Sequence, residues 1–420
     1  MDHIPVHNLD KDQLLNNSKC FCMIPWVHLH RLPDGDILPC CTGSMDYKKE
    51  IPSNGSVEDA INSDFMKQLR LNMLADKPSG VCKQCYQAEN TGGQTLRQQS
   101  LREYGKYLDQ ELLNTSASGH LYDFKMRYFD FRFSNICNFK CRSCNSGYSS
   151  LWEAEDIKYG YNHRGGRVSK KTPAGVIDEI LGHIPHMERA YFAGGEPLIT
   201  DEHYMMLTRM LEAGRTDIKL IYNSNASTLN FKGYDLMELW SQFDHPVEFC
   251  ASIDHFGHRA EYIRHGTKWA ETEEVLKTIK QSDFVDYGIT TAVTNMNYPG
   301  MHEFVEYMLE KDLWPDLDWQ LNPVWNPSYM CAQALPESIK QQATEKLVVL
   351  LNSLIQKIKT GKLDVDLDGV KRMKNIATMV HDQHTWQHNF REFKNEMFRL
   401  DKIRNESFCK TFPDLAEMVL

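Results

Sequence analysis

Three cysteines lie close together in the segment CNFKCRSCN, residues 137–145. Cys137, Cys141 and Cys144 follow the spacing C-x3-C-x2-C, which fits a partial zinc site, a chance grouping or a cuboidal iron–sulfur cluster. Structural zinc sites close all four coordination positions, and a 4Fe–4S cluster normally takes four thiolates. Three thiolates would leave one iron open. We therefore predict a catalytic cluster whose open iron binds a cofactor.

A second group of cysteines lies in the segments FCMIPWVHLHRLPDGDILPCC (21–41) and GVCKQCYQAENTGGQTLRQ (80–98). Four thiolates from these two hairpin-like segments could hold a zinc ion or an iron–sulfur cluster, and the spacing alone does not separate the two. Within the first segment, Gly35-x4-Cys40 favours Cys40 over Cys41 as a ligand. His28 and His30 alternate along a strand next to this group, and we interpret them as satisfied polar surface, with metal ligation as the alternative.

The elements that must position these cysteines alternate between strands and helices from about residue 125 onward. Apolar runs and alternating patterns predict six strands, at 125–134, 188–193, 218–224, 247–253, 287–293 and 317–324. Helical periodicity predicts the main helices, at 174–187, 201–214, 234–243, 272–282, 301–312 and 337–360.

Six strands joined by helices predict parallel βα units with right-handed crossovers. A complete barrel of this kind has eight such units, so we expect an α/β fold with a partial (β/α)6 TIM-like barrel. The doubly wound open sheet is the alternative, but no GxGxxG follows the first strand. Catalytic groups of such barrels follow the strand ends, and four polar segments fall there: CNFKCRSC, GGEP, NSNAS and SIDH.

The composition describes a globular protein of more than one domain. Of 420 residues, 41% are hydrophobic and 25% are charged, and the formal net charge is −10. An acidic chain argues against nucleic-acid binding, which relies on dense Lys and Arg. The best basic candidate, HRGGRVSKK at 163–171, is interpreted as a solvated loop. Neither a membrane-spanning run nor a signal peptide is seen, so we expect a cytoplasmic protein.

These motifs together resemble the radical S-adenosylmethionine (radical SAM) enzymes, whose hallmark is CxxxCxxC after the first strand of a partial barrel. AGGEP at 193–197 is similar to the GGEP motif that the family carries after its second strand. Three further segments resemble family features in the same order: NSNA at 223–226, ASID at 251–254 and EYIRHGTKW at 261–269. The resemblance covers roughly residues 125–325.

The resemblance implies a chemistry and a set of cofactor contacts. A reductant such as flavodoxin or ferredoxin would supply one electron to the 4Fe–4S cluster. SAM would then be cleaved to methionine and a 5′-deoxyadenosyl radical, which abstracts hydrogen from a substrate. Gly194 and Gly195 would permit close backbone approach, and Glu196 would accept the methionine ammonium. Four more residues are expected to contact the cofactor, with strand-end capping as their alternative role: Asn225, Ser252, Asp254 and Arg264.

The N-terminal segments resemble the auxiliary-cluster module called the twitch domain, which is related to the SPASM domain. The matching words are CxxPWxHL…DGxxxPCC and CxxCYxxE…LR, and they favour a second 4Fe–4S cluster with Cys22 rather than Cys20 as a ligand. The implied ligands are Cys22, Cys40, Cys82 and Cys85. The module usually follows the barrel, whereas here it precedes it. We expect an auxiliary domain at 1–118, the barrel at 119–325 and a C-terminal helical cap at 326–420.

Two functions compete on this sequence. The first is a radical SAM enzyme that abstracts hydrogen from a peptide, a protein side chain, or a small amine or sugar. The second is a non-catalytic metal- or cluster-binding protein on the same scaffold. The intact CxxxCxxC and GGEP motifs favour the enzyme, because a protein that has lost catalysis need not keep them.

Overall fold

The computed structural model describes residues 10–161 and 172–419 of the chain. The basic segment at 163–171 lies outside the described residues. The chain forms two compact units. Unit 1 comprises Met1–Ile136, Asn162–Leu220 and Gln242–His245, and unit 2 comprises Cys137–Tyr161, Ile221–Ser241 and Pro246–Leu420.

The secondary structure is numbered along the chain. The strands are β1 His28–Arg31, β2 Ile37–Leu38, β3 Tyr128–Phe131, β4 Arg189–Phe192, β5 Lys219–Ser224, β6 Asn230–Phe231, β7 Tyr234–Asp235, β8 Val247–Ser252, β9 Val285–Val293 and β10 Trp319–Pro323. The α-helices are α1 Ile24–Val27, α2 Val57–Ile61, α3 Asp64–Leu74, α4 Lys83–Asn90, α5 Leu96–Tyr104, α6 Leu108–Leu113, α7 Ser150–Tyr159, α8 Ala174–Gly182, α9 Asp201–Glu212, α10 Leu236–Trp240, α11 Gly257–Ile263, α12 Trp269–Lys280, α13 Met301–Glu310, α14 Glu337–Lys359, α15 Leu367–Met379, α16 Trp386–Arg404 and α17 Phe408–Thr411.

Unit 1 contains four neighbouring strands in the order β2, β1, β3, β4. β1 pairs in parallel with β3, with His28 opposite Tyr128, and antiparallel with β2. One face of this sheet is apolar, because Phe129 packs on Phe192 and Phe192 in turn contacts His203 of α9. A strand of the cysteine-rich N-terminal segment therefore extends the sheet that contains β3, which the sequence did not indicate.

His28 and His30 are buried in this sheet rather than being polar surface, so that interpretation is wrong. His28 is 0% exposed and His30 is 3% exposed. Their Nδ1 atoms lie 2.9 Å from the carbonyl oxygen of Tyr128 and 3.1 Å from that of Asp130. Both rings are buried because β1 has β3 on one side and β2 on the other, a long-range pairing with no local sequence signal.

Unit 2 contains four parallel strands in the order β5, β8, β9, β10. Only the part of β5 from Ile221 onward belongs to this unit. Its core forms where Trp240 of α10 packs on Tyr222 and on Phe249, with ring centroids 5.0 Å and 5.5 Å away. The C-terminal helices α14, α15 and α16 bury one apolar stripe each, as their 3.6-residue periodicity requires.

The predicted fold class is confirmed: the protein is α/β, its central strands are mostly parallel and its C-terminal region is helical. In the described ranges, β1, β3 and β4 of unit 1 are neighbours in parallel, as are β5, β8, β9 and β10 of unit 2. All six predicted strands occur. The helix predicted at 234–243 begins later, because the carboxylate of Asp235 accepts from the N–H of Met237 at 2.9 Å and caps α10 there. None of the described helices is long and apolar enough to cross a membrane.

Candidate functional site

The three cysteines of the CxxxCxxC motif lie on the loop between β3 and α7, and their side chains are half-buried. The loop turns where the N–H of Cys144 donates to the carbonyl oxygen of Cys141 at 3.0 Å. The N–H of Phe139 points at Sγ of Cys137 at 3.4 Å. Ser149 then caps α7 and donates its hydroxyl to the carbonyl of Phe139 at 2.6 Å. The loop is therefore anchored at its centre as well as at its ends.

Amide side chains connect this loop to the turn after β5, within unit 2. Nδ2 of Asn225 donates to Oδ1 of Asn138 at 2.8 Å, and Nδ2 of Asn138 donates to the hydroxyl of Ser227 at 2.9 Å. The N–H of Ser227 closes the set by donating to Oδ1 of Asn225 at 3.0 Å. Asn225, predicted as a cofactor contact, thus holds the loop next to Cys137.

The segment EYIRHG runs beside the cysteine loop and pairs with its backbone. The N–H of Lys140 donates to the carbonyl of His265 at 2.7 Å, and the N–H of Arg142 donates to that of Ile263 at 2.8 Å. Gly266, with a φ of +115°, completes the contact, because a Cβ there would lie 2.8 Å from the carbonyl oxygen of Asn138. That position therefore requires glycine both for its backbone conformation and for the close approach.

Arg264 and Asp254 form a charged pair next to a cysteine of the loop. Nη1 of Arg264 lies 3.9 Å from Sγ of Cys141, and its Nε donates to Oδ2 of Asp254 at 2.8 Å. Oδ1 of Asp254 also accepts from the N–H of Ala292 at 2.8 Å, so the carboxylate is fixed to β9. Burial opposes the charge of Arg264, but Asp254 and Cys141 outweigh it and raise the pKa of the guanidinium. Ser252 is half-buried at the end of β8, two residues before Asp254.

The GGEP motif follows β4 in unit 1 and contacts the backbone at Ile136, the residue before Cys137. Gly194 has a φ of +133°, and a Cβ there would lie 3.2 Å from Cδ of Arg132. A Cβ on Gly195 would lie 2.1 Å from the carbonyl oxygen of Ile136, and the N–H of Glu196 donates to that same oxygen at 2.7 Å. The motif therefore needs a residue without a side chain at Gly195.

The carboxylate of Glu196 is buried and caps the turn that follows it. Its Oε1 accepts from the N–H of Leu198 at 3.1 Å. This is the strand-end capping role that we gave as the alternative for Asn225, Ser252, Asp254 and Arg264. Gly195 and Glu196 also line a cavity whose empty volume is about 290 Å³.

Four N-terminal cysteines line one cavity in unit 1, with an empty volume of about 400 Å³, and they are the predicted set Cys22, Cys40, Cys82 and Cys85. Sγ of Cys22 lies 3.2 Å from the hydroxyl of Ser100. The hydroxyl of Thr42 lies between two of the thiols, 3.4 Å from Sγ of Cys40 and 3.7 Å from Sγ of Cys85. The rest of the wall is mostly apolar, as a site that excludes water requires.

The alternative cysteines occupy different surroundings. The N–H of Cys20 donates to the carboxylate of Asp76 at 3.2 Å, and neither Cys20 nor Cys41 lines the cavity. Cys41 is exposed, whereas Cys40 is half-buried. The choice of Cys22 and Cys40 stays a prediction that agrees with these positions.

Burial raises the pKa of several thiols at both sites, to about 12 for Cys22, about 11 for Cys40 and about 12 for Cys141. In the metal-free protein these groups are therefore protonated at neutral pH, and ligation would release their protons. Within the described ranges, no three His, Cys, Asp or Glu side chains are grouped to hold a single metal ion. Four thiols around one cavity and three on one anchored loop are nevertheless the donor sets that iron–sulfur clusters take.

Two family models match the chain. The model of the radical SAM superfamily matches residues 131–310. The chain therefore carries a radical SAM domain. The model of the SPASM iron–sulfur cluster-binding domain matches residues 20–86, which precede the residues matched by the radical SAM model. A radical SAM domain implies a 4Fe–4S cluster and SAM, and a SPASM domain implies additional iron–sulfur chemistry, which confirms the predicted cofactors at this level.

Several proteins are similar to this chain over part of their length. An uncharacterised protein of Methanocaldococcus jannaschii is 25% identical over 191 residues, covering 44% of this chain and 59% of the relative. Among solved structures, anSMEcpe with bound AdoMet is 17% identical with a TM-score of 0.39, covering 56% of this chain and 61% of that one. Streptococcus suis SuiB bound to S-adenosylmethionine is 12% identical with a TM-score of 0.39, covering 73% and 63%.

Sequence reasoning did not assign a role to two residues of the CxxCYxxE…LR words, Glu89 and Arg97, which follow the residues matched by the SPASM model. Arg97 donates from Nη2 to Oε2 of Glu89 at 2.5 Å and from Nη1 to the carbonyl of Phe21 at 2.9 Å. Both side chains are largely buried. Arg97 therefore joins α4 and α5 to the segment that carries Cys22. The signal in the sequence was the presence of both Glu89 and Arg97 in the CxxCYxxE…LR words.

Proposed function

We propose that this protein is a radical SAM enzyme whose catalytic cluster is held by Cys137, Cys141 and Cys144. The observation that carries the proposal is the loop within the radical SAM domain, whose three thiols share one backbone anchored on several sides. Three thiolates leave one iron of a 4Fe–4S cluster for the amino and carboxylate groups of SAM.

When bound, the reduced cluster and SAM supply a 5′-deoxyadenosyl radical, which abstracts a hydrogen atom from the substrate. The chain's residues bind and orient these groups. Arg264, held by Asp254, donates toward Sγ of Cys141 and stabilises thiolate charge there. Glu196 accepts a hydrogen bond from the ammonium of SAM. Further cofactor contacts come from Gly194, Gly195, Asn225 and Ser252.

The auxiliary domain binds a second 4Fe–4S cluster through Cys22, Cys40, Cys82 and Cys85. A small reductant protein such as flavodoxin or ferredoxin supplies the electron, and the substrate is a peptide, a protein side chain, or a small amine or sugar. The domains run from 1 to 118, from 119 to 325 and from 326 to 420. None of the twelve cysteines, all of which lie in the described ranges, forms a disulfide, which fits a reducing cytoplasm.

The test is anaerobic reconstitution with iron and sulfide, followed by measurement of iron content and of 5′-deoxyadenosine after reduction with SAM present. The wild-type protein should hold about eight irons, four for each cluster. Cys137→Ala, Cys141→Ala and Cys144→Ala should each abolish 5′-deoxyadenosine formation, and the triple variant should keep about four irons. Cys409→Ala, which changes a cysteine outside both motifs, is the matched control and should behave as wild type.

The outcome distinguishes the enzyme from the non-catalytic alternative. Unchanged 5′-deoxyadenosine in any single variant would overturn the catalytic assignment. A reconstituted wild type that binds iron at both sites and makes no 5′-deoxyadenosine would favour a cluster-binding protein. A triple variant holding one zinc and almost no iron would show that the N-terminal site is a zinc site.

A further inference from the structure

Lys140 and Arg142, the two neighbours of Cys141, both contact the C-terminal end of α16, within unit 2. The side chain of Arg142 is fully buried, and its Nη2 donates to Asp401 at 2.9 Å and to Glu406 at 2.7 Å. Its guanidinium also lies 3.6 Å from the ring centroid of Tyr262. A buried guanidinium next to a predicted cluster ligand is thus paired, through Nη2 alone, with carboxylates roughly 260 residues further along the chain.

A second set of contacts holds the other neighbour. Nη1 of Arg404 donates to the carbonyl of Lys140 at 3.0 Å, and its Nη2 pairs with Glu155 of α7 at 2.8 Å. The ammonium of Lys140 pairs with the same carboxylate at 2.5 Å. The end of α16 therefore contacts both the backbone and the charged partner of Lys140.

A third contact connects the same end of α16 to the segment that pairs with the loop. Glu406 accepts from Nδ1 of His265 at 2.7 Å, and the carbonyl of His265 accepts from the N–H of Lys140. Asp401 also accepts from the hydroxyl of Tyr262 at 2.7 Å and from the N–H of Phe408 at 2.6 Å. Both carboxylates are thus shared between the loop, its pairing segment and the chain after α16.

We infer that Asp401, Arg404 and Glu406 are positioning residues that hold the loop of Cys141 in the conformation that binds the cluster. The inference rests on the proposed function. Buried ion pairs are weak evidence for stability, since apolar residues of similar volume often stabilise a fold equally well. This network instead fixes the positions of the residues on both sides of Cys141. Outer-shell partners of metal ligands commonly have this role, and their loss costs about 10–100-fold in affinity.

The test compares Glu406→Gln with Glu396→Gln in the full-length reconstituted protein. Glu396 is the matched control because it pairs with Arg399 on the same helix at 2.7 Å, and its side chain is similarly exposed, 27% against 21% for Glu406. Iron release to a chelator is followed over time, and the spectral change of the reduced protein on adding SAM identifies the barrel cluster. Glu406→Gln should release the barrel iron about tenfold faster or more and leave the auxiliary iron unchanged.

Two further variants keep the inference testable. Arg142→Lys should retain more of the barrel cluster than Arg142→Gln, because it keeps the charge although it loses the forked geometry. Equal release rates for Glu406→Gln and Glu396→Gln would overturn the inference, as would equal acceleration of release from both clusters, which would indicate a general loss of stability. If wild type and the triple cysteine variant hold the same iron, the proposed function fails instead.

Discussion

Gly195→Ala tests how closely the GGEP turn must approach the cysteine loop. A Cβ at this position would lie 2.1 Å from the carbonyl oxygen of Ile136 and 2.7 Å from the carbonyl carbons of Asn135 and Ile136. All three contacts are with backbone, so no side-chain rotation relieves them. Because real Cβ contacts are not shorter than 3.0 Å, the backbone must separate by about 0.9 Å, the difference between 3.0 and 2.1.

The expected cost has two parts. Overpacking of a well-packed site costs about 1–3 kcal/mol of folding free energy, and the hydrogen bond from Glu196 to Ile136 would be strained in addition. The larger effect is on activity, because Ile136 immediately precedes Cys137 and a displacement of about 1 Å in a catalytic group can cost about 100-fold in rate. We expect 5′-deoxyadenosine formation to fall by about that factor.

Gly175→Ala is the matched control, because Gly175 lies in α8 and a Cβ there meets nothing within 4 Å. Gly175 is the second residue of α8 and lies outside the helix interior, where glycine costs stability relative to alanine, so this variant should leave the midpoint of urea unfolding close to that of the wild type. Iron content, urea unfolding and 5′-deoxyadenosine are measured for both variants. Wild-type activity and stability in Gly195→Ala would show that the turn relaxes without moving the loop, and would refute the reasoning.

Three other outcomes follow from the structure. Cys82→Ala should lose the auxiliary iron while Cys41→Ala keeps it, because the cavity is lined by Cys82 and not by Cys41. Metal analysis of the two variants tests this, and loss of the auxiliary iron in Cys41→Ala would contradict it. Arg97→Gln should lower the free energy of unfolding by about 3–5 kcal/mol in urea, since it leaves the largely buried carboxylate of Glu89 without its partner. Burial lowers the pKa of His203 to about 3, below its ordinary value of 6.5, so the folded state holds it neutral. The free energy of unfolding should therefore fall as the pH drops below 6.5, by about 2 kcal/mol at pH 5 for this group. In urea titrations at pH 7 and pH 5, the free energy of unfolding of His203→Phe should fall by about 2 kcal/mol less than that of the wild type.

The elements that carry the site could be predicted because their signals are local. The strand predicted at 218–224 is Lys219–Ser224, and the strand predicted at 247–253 is Val247–Ser252. Each is a short apolar run closed by polar residues, which is what a strand buried in a parallel sheet looks like in sequence. The cysteine spacing is equally local, so the loop between β3 and α7 was predictable as a unit.

The contacts that hold the loop were not predictable, because they join residues far apart in the chain. Nothing near His28 indicates that β1 pairs with β3, a hundred residues away. Likewise the pattern of α16 gives its buried stripe but not the partner of Asp401, which is Arg142. Charged residues at a helix end usually lie in solvent, so the local pattern predicts a solvated Asp401 and not one that pairs with a buried arginine.

The spacing of the cysteine motif also decides which side of the paired loop each residue lies on. The N–H groups of Lys140 and Arg142 donate to the carbonyls of His265 and Ile263, so the two segments step past each other by two residues in opposite directions, as antiparallel strands do. In such a pairing, side chains at i and i+2 share one side, and the residue between them points to the other. The side chain of Arg142 accordingly reaches Asp401 at the end of α16, and that of Lys140 reaches Glu155, which pairs with Arg404, while Cys141 lies on the side of Arg264. One side of the segment anchors the loop and the other presents the thiol, and a change of one residue in the spacing before Cys141 would exchange them.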